Sequence, residues 1–178
     1  DLYYPTPVAG NLQATIAYEQ NRWCVTRQLH FSNIRPADSV DVVLSLNGLP
    51  IITMELKNEL SCQDVEHAVS QYKTDRDPKE LLFMPKRCAV HFAVDDADVK
   101  MCTALNGKSS WFLPFNKGVN DGAGNPVNPN GLKTAYLWEE VLQKPRLSEI
   151  LENYAQVIRE RDQETGKIKE KNIWPRYE

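Results

Sequence analysis

Two carboxylates and one amine, spaced along two neighbouring apolar segments, have the residue types needed for metal-assisted hydrolysis. Asp41 lies in segment 39–46, and Glu55 and Lys57 lie in segment 49–57. Carboxylate oxygens suit a hard divalent cation such as Mg²⁺, and a nearby ammonium can stabilise charge that develops on a reacting group. The same pattern also describes a solvated polar face on a two-stranded ribbon, where an exposed Glu/Lys pair contributes little stability.

Asn47-Gly48 between these segments predicts a β-hairpin. Side chains alternate between the two faces of a strand, so two apolar stripes emerge: Val40, Val42, Leu44 and Leu46, then Ile52, Met54 and Leu56. If both stripes face one core, Asp41, Thr53, Glu55 and Lys57 lie on the opposite face. That arrangement requires that the numbers of two residues paired across the hairpin add to an even value. A plain two-residue turn pairs Leu46 with Leu49, whose numbers add to an odd value. We therefore expect a three-residue loop or a β-bulge, with Gly48 at positive φ.

The composition limits the possible classes of protein. The chain has 178 residues, 42% hydrophobic content and a formal net charge of -3, which suits one domain or a domain with an appendage. It is not a generally basic nucleic-acid-binding protein, so any such contact must be a local patch. Its four cysteines include no Cys-x-x-Cys pair and so give no zinc spacing. No run of 18 apolar residues occurs, and no membrane span is expected.

Periodicity along the rest of the chain predicts an α/β fold, a central mixed β-sheet flanked by helices. Helix 12–21 and strand 23–30 are expected before the hairpin. A capping box at 61–64 should start a helix with the stripe Val65, Ala68, Val69 and Tyr72. Strands are expected at 88–94 and 98–104. An amphipathic helix should carry Leu147, Ile150, Leu151, Tyr154 and Ile158, and the charged residues 159–172 suit a solvated helix end or linker.

The hairpin residues also resemble a known family. Asp41, the turn 47–50 and the run 55–58 occur together with similar segments at 23–29, 68–77, 90–95, 112–118, 122–126 and 134–142. This series resembles the N-terminal nuclease domain of the R (restriction) subunit of type I restriction enzymes, a branch of the PD-(D/E)xK nuclease superfamily. The resemblance implies a restriction-endonuclease-like fold.

The resemblance also suggests a domain organisation. A nuclease domain is expected over 1–145, with its first core helix truncated upstream of the chain. Residues 146–178 are expected to be an amphipathic helix and a charged linker, and 174–177 resemble the start of an ATP-driven motor domain beyond this chain. The chain, which begins at Asp1 rather than Met, is thus expected to be part of a longer protein. The upstream helix can carry an additional acidic residue, and whether Glu19 stands near its place is left open.

The family pattern assigns roles to individual residues. Asp41 and Glu55 are implied to bind Mg²⁺, or Mn²⁺ in its place, with the backbone carbonyl of Leu56 as a third ligand. Lys57 is implied to orient the attacking water and to offset charge in the transition state. Gln71 is expected to orient Lys57 or to contact the DNA backbone. Many relatives carry Gln-x-x-x-Tyr here, but Asp75 stands at the Tyr position, so no catalytic Tyr is carried over.

Lys73 and Arg76 are expected to contact DNA phosphates, or alternatively to be solvated charges at a helix end. The implied activity is Mg²⁺-dependent endonucleolytic cleavage of double-stranded DNA. The implied partners are the modification and specificity subunits, with ATP used only by the motor domain, in a bacterial or archaeal cytoplasm. Two alternatives remain: a catalytically silent docking module with a nuclease-like fold, and another PD-(D/E)xK enzyme such as a repair nuclease or resolvase.

Overall fold

The computed structural model describes residues 2–120, 122–161, 163 and 166–177. Within these residues the chain forms eight strands, three α-helices, a 3-10 turn at Glu59–Ser61 and a π-helical turn at Leu137–Val141. In chain order the main elements are α1 (Leu12–Glu19), β1 (Trp23–His30), β2 (Ser39–Leu46), β3 (Leu49–Leu56), α2 (Val65–Thr74), β4 (Val90–Val94), β5 (Val99–Cys102), β6 (Leu113–Pro114), α3 (Lys144–Asn153), β7 (Gln156–Arg161) and β8 (Ile168–Ile173).

The first six strands form one mixed sheet in the order β1-β2-β3-β4-β5-β6. The β3–β4 pair is parallel and the other neighbours are antiparallel. Helices flank the sheet, so the predicted α/β class is confirmed. Strands β7 and β8 form a separate two-stranded sheet. No helix in the described ranges is long and apolar enough to cross a membrane.

Each face of the sheet covers its own apolar core. The first core contains Leu44, Ile52, Met54 and Phe92 from the strands, together with Leu147 and Ile150 of α3 and Trp174. The second core contains Val40, Val43 and Ala93 from the strands, together with Val65, Ala68, Val69 and Tyr72 of α2. The four α2 residues are those of the predicted helical stripe, and all four are buried. The sheet is therefore covered on both faces, as a mixed α/β sheet requires.

Helix α2 begins three residues later than the predicted capping box. Asp64, not Ser61, is the N-cap, and its side chain accepts hydrogen bonds from the backbone N–H groups of Glu66 and His67. The His67 side chain accepts in return from the Asp64 backbone N–H. Ser61 instead ends the preceding 3-10 turn. The short side chain at 64 satisfies two amides that have no partner within the helix.

The charged segment after α3 is a β-hairpin, not the predicted helix end or linker. Helix α3 ends at Asn153, before Ile158, and β7 pairs with β8 along its length. Opposite charges face each other across the pair, since Arg159 lies opposite Glu170 and Glu160 lies opposite Lys169. The helical periodicity of the apolar residues gave no sign of these cross-strand partners. The division of the chain at residue 145 stays a prediction.

Candidate active site

A β-bulge sets the register of the β2–β3 hairpin. Leu46 pairs with Leu49 across the two-residue Asn47-Gly48 turn, and the register then shifts between Leu44 and Ser45, so that Leu44 pairs with Ile52. Gly48 has φ +85°. The predicted bulge, the even pairing sum and the positive φ are thus all confirmed. Continuing the pairing of Val42 with Met54 by one residue places Asp41 opposite Glu55.

The face that carries Asp41 and Glu55 is buried at Glu55 and half-buried at Asp41, so it is not a solvated ribbon. Thr53 and Glu55 have no exposed surface, because α2 packs over β3 and β4 on this side. Two parts of the predicted pattern are wrong, since Leu56 is 43% exposed and Val40 faces the other core. Val42 and Leu44 contact the first core as expected, but Val40 lies in the second core with Val43. The polar residues here are enclosed, which makes every unpaired oxygen energetically costly.

Glu55 has one paired and one unpaired carboxylate oxygen. Its Oε1 accepts a hydrogen bond from Arg76 Nε at 2.6 Å, whereas Oε2 is buried without a hydrogen-bond partner. Burial raises the pKa of Glu55 to about 7, the Arg76 guanidinium opposes the rise, and the neighbouring Asp41 adds to it. Two ionised carboxylates offer no donor to each other, so the partner of Glu55 Oε2 must be a group that brings a proton to donate or a positive charge.

Asp41 is held by donors from both neighbouring strands. Its Oδ1 accepts from Gln28 Nε2 on β1, and its Oδ2 accepts from the Leu56 backbone N–H on β3, each at 2.8 Å. The Gln28 side-chain oxygen in turn accepts from Ser39 Oγ at 2.8 Å. Sequence reasoning missed Gln28, because its place opposite Asp41 depends on the β1–β2 register, which no turn signal specifies.

Lys57 lies beside the pair but does not neutralise it. The Lys57 backbone N–H donates to the Val94 carbonyl at 2.8 Å, and the side chain is half-buried. Among the described residues the Lys57 ammonium forms no ion pair, so the expectation that it leans towards Asp41 or Glu55 is wrong. Arg76 takes that place. Gln71 on α2 likewise keeps a buried side-chain oxygen without a hydrogen-bond partner.

Arg76, predicted as a DNA contact or a solvated helix-end charge, is not solvated, and its contact with DNA stays a prediction. Its side chain is 5% exposed, donates from Nη2 to the Ser39 carbonyl at 2.8 Å, and stacks over Phe31 at 5.4 Å. Lys73 is half-buried and lines an open cavity of 420 Å³ with Arg35, Arg76 and Lys108. Of the two predicted phosphate contacts, only Lys73 remains without an ion-pair partner among the described residues.

Glu19 does not join the carboxylate pair. It forms an ion pair with Lys144 of α3 at 2.9 Å, and its neighbour Tyr18 is hydrogen-bonded to Ser148 of α3 at 2.9 Å. Helix α3 contributes Leu147 to the first core, on the opposite side of the sheet from Glu55. The open question on Glu19 is therefore answered, because α1 and α3 hold it on the other face.

The donor set fits a hard divalent cation. The described residues contain no cluster of three or more His, Cys, Asp or Glu side chains that could hold a metal. Asp41 and Glu55 nevertheless offer carboxylate oxygens as metal ligands. Glu55 Oε2 is buried without a partner, and burial disfavours the charged form of the Glu55 carboxyl group. A cation at this point would supply the missing partner and the missing positive charge. With only two carboxylates, it would need further oxygen ligands from backbone, water or substrate.

Comparison with known proteins identifies the family. The family model described as "Type I restriction enzyme R protein N terminus (HSDR_N)" matches residues 11–110, which is more than half of the chain and includes Asp41, Glu55, Lys57 and Gln71. No curated protein matches the chain. The resemblance inferred from the hairpin and its neighbouring segments is confirmed. The chain belongs to the family of type I restriction enzyme R proteins and contains their N-terminal region.

Proposed function

We propose that this chain forms the nuclease centre of a type I restriction enzyme R subunit and cleaves double-stranded DNA in a Mg²⁺-dependent reaction. One observation carries the proposal: the bulged hairpin sets Asp41 opposite Glu55, and a buried Glu55 oxygen there has no partner. A protein that used this fold only for docking would gain nothing from an uncompensated buried carboxylate. Membership of the restriction family supports the choice of DNA as substrate.

Asp41 and Glu55 would hold the Mg²⁺, or Mn²⁺ in its place, with the Leu56 carbonyl as a third ligand. When bound, the cation supplies Lewis-acid activation of a phosphate oxygen and of the attacking water. The hydrogen bonds from Gln28 and Leu56 fix the direction in which the Asp41 oxygens point. Glu55 keeps one oxygen on Arg76 and offers the other.

Lys57 supplies a positive charge to the site that no carboxylate in the described part of the chain neutralises. Its ammonium has no ion-pair partner among the described residues, so it is available to orient the attacking water and to offset negative charge on the phosphorus centre. The unpaired Gln71 oxygen is a suitable acceptor for that ammonium. Lys73 would contact a DNA phosphate, which positions the duplex without reading its sequence. Arg76 serves as the fixed counter-charge of Glu55.

In the intact system the partners of this centre would be double-stranded DNA, the modification and specificity subunits and an ATP-driven motor domain.

The test is plasmid cleavage by the complete assembly carrying Asp41→Asn, Glu55→Gln or Lys57→Ala. Each variant should abolish cleavage and leave ATP-driven translocation intact, because none of these side chains packs in an apolar core. Lys79→Ala, an exposed lysine in the loop after α2, is the matched control. Wild-type cleavage by the Lys57→Ala assembly would favour the silent docking module.

A further inference from the structure

Gln28 has a backbone conformation that its position in a strand does not explain. Its φ is +48°, in the left-handed region that non-glycine residues rarely adopt. Its neighbours are regular, since Arg27 pairs with Val42 and Leu29 pairs with Val40. The unusual residue is therefore the one opposite Asp41. Strained backbone of this kind persists where the surrounding structure enforces it, often at functional sites.

The strained backbone places the Gln28 side chain within hydrogen-bonding distance of Asp41. Gln28 Nε2 donates to Asp41 Oδ1, and Ser39 Oγ donates to Gln28 Oε1, both at 2.8 Å. An ionised carboxylate only accepts hydrogen bonds, so the Gln28 amide has one possible orientation. With the Leu56 N–H on Asp41 Oδ2, both carboxylate oxygens are fixed.

Ser39 connects this arrangement to the other carboxylate. Its hydroxyl holds Gln28, the partner of Asp41, while its backbone carbonyl accepts from Arg76 Nη2, the partner of Glu55. One residue at the start of β2 thus anchors the supports of both acidic groups. The substitution Ser39→Ala would remove only the first of these contacts, because the second uses the backbone.

We propose that Gln28 is a positioning residue that aims the Asp41 carboxylate for the cation and that Ser39 acts through it. This inference rests on the proposed function. An Asp side chain that rotates freely about χ1 and χ2 must be ordered each time the cation and DNA bind. The hydrogen bond from Gln28 orders the Asp41 side chain before binding. Loss of a hydrogen-bonded neighbour of a metal ligand typically costs about 10- to 100-fold in metal affinity or activity.

The decisive variant is Gln28→Gly, with Gln28→Leu beside it. Glycine adopts positive φ without strain, so the unfolding temperature of the chain should stay unchanged or rise. Cleavage by the complete assembly should nevertheless fall by about 10- to 100-fold in kcat, with KM for DNA unchanged, and Mn²⁺ affinity of the chain measured by calorimetry should fall by a similar factor. Gln13→Leu, an exposed residue of α1, is the matched control. Gln28→Leu should match Gln28→Gly in activity.

Ser39→Ala tests the connection. It should lower kcat less than Gln28→Gly, and the double variant should be no worse than Gln28→Gly alone, because Ser39 acts in series with Gln28. Gln28→Gly with wild-type kcat and Mn²⁺ affinity would overturn the inference and leave Gln28 with a purely structural role. An Asp41→Asn assembly that still cuts DNA would instead refute the proposed function, so the two failures are distinguishable.

Discussion

The buried carboxyl group of Glu55 should make the fold less stable as the pH rises, provided that no divalent cation is present. Burial raises its pKa from 4.5 to about 7. Below pH 4.5 the group is protonated in both the folded and the unfolded chain. Between pH 4.5 and 7 the unfolded chain releases this proton while the folded chain retains it, so the free energy of unfolding falls. Above pH 7 the loss is complete.

The magnitude follows from linkage. One pKa unit corresponds to about 1.4 kcal/mol, so the rise from 4.5 to about 7 corresponds to about 3 kcal/mol of lost stability at pH 8. The Glu55→Gln variant stays neutral at every pH and does not suffer this loss. Relative to wild type, its free energy of unfolding should therefore increase by about 3 kcal/mol between pH 4.5 and pH 8.

The assay is urea unfolding of wild type and Glu55→Gln at several pH values in the presence of a chelator. Glu140→Gln is a control for this range: the hydrogen bond from Lys117 lowers the pKa of Glu140 below 4.5, so this variant should lose relative stability as the pH rises towards 4.5 and then run nearly parallel to wild type up to pH 8. If the curves for wild type and Glu55→Gln run parallel across this range, the attraction of Arg76 outweighs burial, and the reasoning about an uncompensated charge is refuted.

Two further predictions concern residues buried on the two faces of the sheet. Burial lowers the pKa of His91 to about 3, so between pH 7.5 and pH 5 the unfolded chain binds a proton at His91 that the folded chain does not bind. The free energy of unfolding of wild type, measured in urea, should therefore fall by about 2 kcal/mol relative to His91→Gln over this range. Equal pH slopes of the two proteins would contradict this. Trp174, 3% exposed and edge-on to Phe92 at 6.2 Å, should cost about 3–5 kcal/mol when changed to Ala. Trp111→Ala, at a 76% exposed site, is its control, and equal unfolding midpoints would show that Trp174 does not pack in the first core.

Local periodicity predicted the parts of the site that depend on one or two adjacent elements. The alternation in 39–46 and 49–57 required an even register, and the bulge between Leu44 and Ser45 supplies it. The stripe on α2 likewise matches its buried residues. Both results depend on side-chain period alone, which the sequence displays directly. Periodicity failed at 159–172, where pairing between two charged segments decides the structure.

The hydrogen-bond partners of the two carboxylates could not be predicted from local periodicity. Arg76 follows the end of α2 and reaches Glu55 only because α2 crosses β3, so its burial could not be distinguished from a solvated helix end. Gln28 meets Asp41 through the β1–β2 register and a positive φ that the sequence does not signal. The types and spacing of Asp41 and Glu55, together with the family resemblance, predict them as the candidate pair, whereas their supporting contacts depend on tertiary structure.

The proposed function requires that Asp41 and Glu55 together hold the cation that acts on DNA. The most direct measurement is anomalous diffraction at the manganese edge from crystals of the chain grown with a short DNA duplex and Mn²⁺. We expect a manganese peak in contact with carboxylate oxygens of both Asp41 and Glu55 and with a DNA phosphate oxygen, and no such peak in the Glu55→Gln variant. A peak at other side chains, with Glu55 Oε2 still lacking a partner, would contradict it.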